Sequence, residues 1–200
     1  MGAEPLTRER VLDAAAEVLR RYGPAKATVV DVARELGVSH GSVYRHFRSK
    51  AALRDAVAER WLHEIAGPLE AIAAADGPAL DRLRRWLDTL IASKRGRALD
   101  DPELFATYVQ LAGQARGVIA AHVDELVGQV ARILADGAAR GELAVDDPVA
   151  AARAVFDATG RFHNPMHAAE WSDPGIDAAF DDVWRLLMRG LATGAPRAGP

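Results

Sequence analysis

Two stretches hold residue types that can do chemistry. In the first, His40, Gly41, Ser42 and Arg45 bring small or polar side chains together, and Thr28, Tyr44, His46 and Lys50 surround them. Thr28, Tyr44, His46 and Lys50 can each donate a hydrogen bond to a phosphate oxygen. Small outward residues let a helix backbone come close to its ligand, as a helix in the DNA major groove must. The second stretch is Arg161-Phe162-His163-Asn164-Pro165-Met166-His167-Ala168-Ala169-Glu170-Trp171. His163, His167 and Glu170 are metal-ligating types, and with His122 they could form a metal site or serve a metal-using enzyme. Their spacing matches no strong metal motif. The expectation is a polar cap between two helices, with no metal and no cofactor. No activated nucleophile and no phosphate-cradling glycine loop stands in the chain, so an enzyme is not expected. The absence of Cys excludes a thiolate zinc site, a disulfide framework and a cysteine nucleophile.

The elements that must position these groups read as helices almost throughout. From Thr7 to Tyr22, the residues Val11, Leu12, Ala15, Val18, Leu19 and Tyr22 recur at helical spacing, with Thr7 as cap and Gly23-Pro24 as the stop. Thr28 followed by Asp31 has the form of a capping box for a second helix, which turns Val29, Val32, Ala33 and Leu36 inward. Gly37 permits the left-handed backbone of a sharp turn, and Val38 plugs the corner. Ser39 caps a short third helix with Val43 and Phe47 inward. Two short helices joined by Gly37-Val38-Ser39 have helix-turn-helix form. Such a turn is also common between helices that bind no DNA.

Ser49 starts a fourth helix with Leu53, Val57, Trp61 and Ile65 on one stripe, and Gly67-Pro68 is expected to break it. Further helices are expected after Gly77-Pro78, after Asp101-Pro102, from about Gly113 to Arg140, from Asp147-Pro148 to about Phe162, and after Pro174. His163 to Trp171 reads as a loop, with Asn164-Pro165 setting the turn and Trp171 anchoring it. Residues 194–200 read as a frayed tail. The fold class is all-α, with about nine helices. Arg82, Arg84, Arg85, Lys94, Arg95 and Arg97 read as a solvated face, or less readily as an attractor for an anionic ligand.

Two hundred residues, half of them hydrophobic, suffice to bury a core without staples. No apolar run approaches the roughly 20 residues of a membrane helix. The N-terminus lacks an apolar stretch of signal type, so a cytoplasmic protein is expected. The net charge of -3 is unevenly spread. Residues 1–60 hold 11 Lys and Arg against 8 Asp and Glu, and the remainder 14 against 20. The basic front is a weak pointer to an anionic partner at that end.

Residues 11–54 resemble the N-terminal domain of the TetR family of bacterial transcriptional repressors. Thr28-Val29-Val30-Asp31-Val32-Ala33-Arg34-Glu35-Leu36-Gly37-Val38-Ser39 is similar to the family's second helix and turn. Gly41-Ser42-Val43-Tyr44-Arg45-His46-Phe47-Arg48-Ser49-Lys50 is similar to its recognition helix and the start of its fourth helix. The resemblance implies DNA contacts from Thr28, Ser39, His40, Gly41, Ser42, Tyr44, His46 and Lys50, with Arg45 as an extra phosphate or guanine contact. It implies a helix-turn-helix domain over residues 1–54, a connector helix over 50–66, and a larger helical effector-binding and dimerisation domain over 55–200.

The implied protein is a homodimeric repressor that binds a palindromic double-stranded operator and is released by a small apolar or aromatic effector. An activator and a ligand-independent regulator remain as alternatives. Trp61, Trp86, Phe105, Tyr108 and Leu111 suit an apolar effector pocket, or else a filled core. Val155, Ile176, Phe180, Val183, Leu187 and Leu191 are the expected dimer contacts, or else the closing stripe of the chain's own core. A similar His-Pro-His-Glu-Trp loop occurs in a subgroup of the family.

Overall fold

The computed structural model describes residues 5–192, and the tail expected from residue 194 lies outside them. In chain order the helices are α1 (Arg8–Lys26), α2 (Val29–Glu35), α3 (His40–His46), α4 (Lys50–Ala73), α5 (Ala79–Asp100), α6 (Pro102–Gln114), α7 (Arg116–Ala139), α8 (Pro148–Ala158), α9 (Gly160–His163) and α10 (Ile176–Leu191). A 3-10 turn, Pro165–Glu170, separates α9 from α10. No strand forms among the described residues, which hold one isolated antiparallel bridge, Leu143 to Ala192. Among them, too, no helix is long and apolar enough to cross a membrane.

Starts and stops follow local chemistry. Thr7 caps α1 by accepting from the Arg10 amide. Asp101 and Asp147 cap α6 and α8 in the same way, each just ahead of a proline whose missing N–H costs nothing there. The Ser49 hydroxyl accepts from the Ala52 amide at the head of α4. Gly23 leaves helical geometry inside α1 at φ 72°, so the helix is interrupted where Gly23-Pro24 predicts it.

The chain divides into two compact units, Met1–His63 with Asp101–His122, and Glu64–Asp100 with Val123–Pro200. The first unit thus takes in α6 and the opening of α7 besides the helix-turn-helix. Its core gathers Val11, Ala15 and Val18 of α1, Val29 and Val32 of α2, Val43 and Phe47, Leu53 and Val57 of α4, and Leu111. The second unit buries Trp86 completely, and its indole N–H donates to Gln129 Oε1 at 2.9 Å.

α4 continues through Gly67-Pro68 to Ala73 rather than breaking. Pro68 removes one helical hydrogen bond, but Ile65, Ala66, Leu69 and Ala73 are buried around it, and Gln129 Nε2 donates to the Ala66 carbonyl. The helix expected to reach Phe162 ends at Ala158. There Thr159 is buried, and its hydroxyl donates to the Val155 and Phe156 carbonyls. The helix expected from Gly113 begins at Arg116. Within the loop expected from His163 to Trp171, His163 ends α9 and Pro165–Glu170 forms a 3-10 turn. Two of the six α5 cations leave the expected solvated face: Arg82 is 4% exposed and Lys94 6%, while Arg85 is exposed. Arg82 donates to the Ala73 and Ala75 carbonyls and pairs with Asp136, while Arg84 pairs with Asp88 and Asp181.

Candidate nucleic-acid interface

The turn between α2 and α3 is built by hydrogen bonds that only one backbone shape allows. Gly37 sits at φ 66°, the Val38 amide donates to the Ala33 carbonyl, and the Gly37 amide donates to the Arg34 carbonyl. This is the Schellman pattern, and it requires the left-handed conformation that glycine adopts without cost. Val38 is half-buried against the core, while Val43 and Phe47 are buried. Three anchors therefore fix α3 to the first unit and turn its other face to solvent.

That outer face is chemically organised. Ser39 Oγ accepts from the Ser42 amide at 3.3 Å and bonds to Ser42 Oγ at 3.0 Å. Ser42 Oγ in turn accepts from Arg45 Nη2 at 3.0 Å. Ser39, Ser42 and Arg45 thus form one chain of donors and acceptors, one helical turn apart. His40 and Tyr44 meet edge to face, with ring centroids 6.4 Å apart, and Tyr44 is 43% exposed. A Cβ added to Gly41 would meet only Ser39 Oγ, at 3.8 Å. Nothing inside the chain requires glycine there, and its bare backbone opens outward. His46 is half-buried, and Lys50 is exposed at the first turn of α4. This face combines an open backbone, outward hydroxyls and an ordered guanidinium, groups that can meet base edges and phosphates.

Thr28 lies at the head of α2, exposed, in a complete capping box. Its hydroxyl donates to Asp31 Oδ2 at 2.6 Å and accepts from the Asp31 amide, and its own amide donates to Asp31 Oδ2 at 3.0 Å. These bonds, with Arg34 beside the carboxylate, hold Asp31 below the usual carboxylate range. The Thr28 groups that the family resemblance offers to phosphate are therefore already engaged by Asp31. Sequence reasoning found the capping box but not this consequence.

The expected effector residues fall in both units. In the first, Trp61 stacks flat on Tyr108, with centroids 4.7 Å apart, and meets Phe105 edge to face at 6.5 Å. Leu111 is buried in the same unit's core. Trp86 belongs to the second unit. Of the expected dimer contacts, Val155, Ile176, Phe180 and Leu191 are buried within the chain, and Val183 and Leu187 are half-exposed. Leu186, beside them on α10, is 71% exposed.

The metal-ligating types are otherwise engaged. His163 is buried against the Phe156 ring, and its Nε2 bonds to Thr159 Oγ1 and the Phe156 carbonyl. Burial, then the charge of Lys94, pushes His163 down to about 4, while burial and Arg97 bring Lys94 down to about 8. His167 and Arg161 both bond to Glu170, and these bonds hold its carboxyl below the usual range. Trp171 is buried, and its indole N–H donates to the Arg161 carbonyl at 2.9 Å, anchoring the turn. Among the described residues no three His, Cys, Asp or Glu side chains cluster as a metal site.

Residues 11–57 match the family model described as bacterial regulatory proteins, tetR family. Residues 79–184 match the model described as Tetracyclin repressor-like, C-terminal domain. The HTH-type transcriptional regulator SrpR of Pseudomonas putida is 27% identical over 188 residues, spanning 90% of this chain and 85% of SrpR. The HTH-type transcriptional regulator BetI of Agrobacterium fabrum is 36% identical over 87 residues, 37% of this chain and 41% of BetI. Among solved structures, SmeT, the repressor of the Stenotrophomonas maltophilia multidrug efflux pump SmeDEF, superposes with a TM-score of 0.68 at 22% identity, covering 98% of each chain. The SmeT–triclosan complex gives 0.67 at 20% identity, covering 96% of this chain and 98% of SmeT. At such identities the likeness establishes the fold.

Proposed function

This chain belongs to the TetR family of bacterial regulatory proteins, and from that premise we propose that it is a homodimeric repressor. It binds a palindromic operator through α3 of each protomer and lets go when a small apolar or aromatic effector binds. One observation carries the DNA reading: the outward chain Ser39–Ser42–Arg45 beside the open backbone of Gly41. A helix of seven residues reads only a few bases, and a two-fold pair of them reads a full site.

For the dimer, α10 offers Val183, Leu186 and Leu187, and Leu186 is a large apolar side chain left in water by a single chain. For the effector, support comes from the Trp61–Tyr108–Phe105 cluster and from the SmeT–triclosan complex of a protein with the same fold. An effector that prefers one arrangement of the two recognition helices lowers DNA affinity by its differential binding. DNA as partner places the protein in the cytoplasm.

The test is a gel shift on the region upstream of the protein's own gene. Saturable binding that survives excess non-specific duplex, and that Lys50→Ala weakens, is expected. Binding no tighter than to scrambled duplex, on this and neighbouring intergenic regions, would overturn the reading.

A further inference from the structure

We infer that Arg8 is a DNA-backbone contact, holding a phosphate at the flank of each half-site from a position fixed by the recognition helix. The inference rests on the reading of α3 as that helix.

Arg8 is the first residue of α1, directly after the Thr7 cap. Its guanidinium carbon stands 4.3 Å from the centroid of the Phe47 ring. Phe47 is the C-cap of α3 and only 3% exposed, so the ring is part of what locks α3 in place. Arg8 itself is exposed, and no carboxylate pairs with it among the described residues. Farther along the same helix the pattern is different. Arg20 pairs with Glu17, and Arg21 with Glu17 and Glu35.

The contact with Phe47 leaves Arg8 with donors to give. A guanidinium carries five N–H donors in one plane. An aromatic ring 4.3 Å away attracts the charge but offers no oxygen acceptor. Those donors can grip two oxygens of one phosphate. The position suits that ligand as well. At 1.5 Å per residue the seven residues of α3 span about 10 Å, close to the roughly 12 Å width of the major groove. With Ser39 and Ser42 at the leading end of α3, Phe47 stands one helix length back, at the level of the strand that borders the groove. A cation above Phe47 meets sugar and phosphate there, not base edges. Arg45, His46 and Lys50 flank Phe47 in the chain, so Arg8 extends a basic rim from a different helix.

Arg8 also covers an aromatic ring, so the test must separate charge from cover. Binding of the full chain to its operator duplex and to a scrambled duplex is measured by fluorescence anisotropy across a potassium chloride series. Arg8→Met keeps an apolar cover and removes the charge, and Arg8→Gln repeats the change with a polar side chain. Each is expected to reduce the slope of log K against log salt by about one, with the same fold loss on both duplexes. Arg8→Lys retains the slope, and Arg20→Ala, on the same helix, leaves it alone. If Arg8→Met and Arg8→Gln keep the wild-type slope and only lower the melting temperature, Arg8 is a cover for Phe47 and the inference fails. If the wild-type chain shows no salt-dependent affinity for any duplex, the functional reading itself falls and takes this one with it.

Discussion

Gly41 is where the needs of the fold and of the ligand separate. Its Cβ position is open, and helix interiors favour Ala over Gly by about 1 kcal/mol. Gly41→Ala is therefore expected to stabilise the chain by up to about that amount while weakening operator binding. A denaturant melt and a binding curve on the same variant check both. Undiminished affinity would take the leading turn of α3 out of the interface. Lys50→Ala and Tyr44→Phe should weaken specific and non-specific binding alike, with Lys50→Ala lowering the salt slope by about one. Ser42 or His40 substitutions should instead change which operator is preferred. At this scale the sequence was informative wherever chemistry is local. Ser39 and Ser42 announce a capped helix by type and spacing. It was silent where partners come from afar. Nothing in the order of residues places Arg8 over Phe47.

Among the elements, the α2–α3 turn depends on Gly37 for its backbone alone, since no atom lies within 4 Å of its Cβ position. Gly37→Ala should cost about 1–2 kcal/mol, the penalty of the left-handed region for an L-residue, and Gly37→Asn less, as read by denaturant unfolding. The α9 region carries a pH dependence. Burial holds His163 at about 4, below its ordinary 6.5. The unfolded chain therefore takes up a proton that the folded chain refuses as pH falls from 6.5 to 4. Stability is full above 6.5 and is lost through that window, by about 3 kcal/mol at 1.36 per pKa unit. His163→Gln should flatten this part of the stability–pH profile, and an unchanged profile would mean that His163 is not buried neutral. The caps Thr7, Thr28 and Ser39, and the helix starts at Ser49, Asp101-Pro102 and Asp147-Pro148, were legible because capping is a matter of a few adjacent residues. Pro68 misled because tertiary burial around α4 outweighs one missing hydrogen bond. Arg82 misled because a charged residue reads as surface until its carbonyl and carboxylate partners are seen, and Lys94 is buried although its type predicts exposure.

At the scale of the molecule, the apolar stripe of the last helix divides in two. Ile176, Phe180 and Leu191 close the chain's own core, so a charge at Phe180 would unfold the protein rather than dissociate it. Leu186 is the clean probe. Leu186→Asp should leave the melting temperature of the monomer intact and shift sedimentation from dimer to monomer. A fully dimeric Leu186→Asp protein would move the interface away from α10. Dimerisation matters because the account requires two recognition helices at a fixed spacing, and a single experiment reads that directly. The full-length protein is used to select bound duplexes from a random pool, and the enriched sequences are footprinted. A homodimer of recognition helices should enrich one motif with a centre of dyad symmetry and half-sites about one helical turn, or a close multiple, apart. That motif should be lost from the pool selected by a Ser42→Ala, Arg45→Ala variant that still folds. Enrichment of no motif, or of one without dyad symmetry that survives those substitutions, would contradict it.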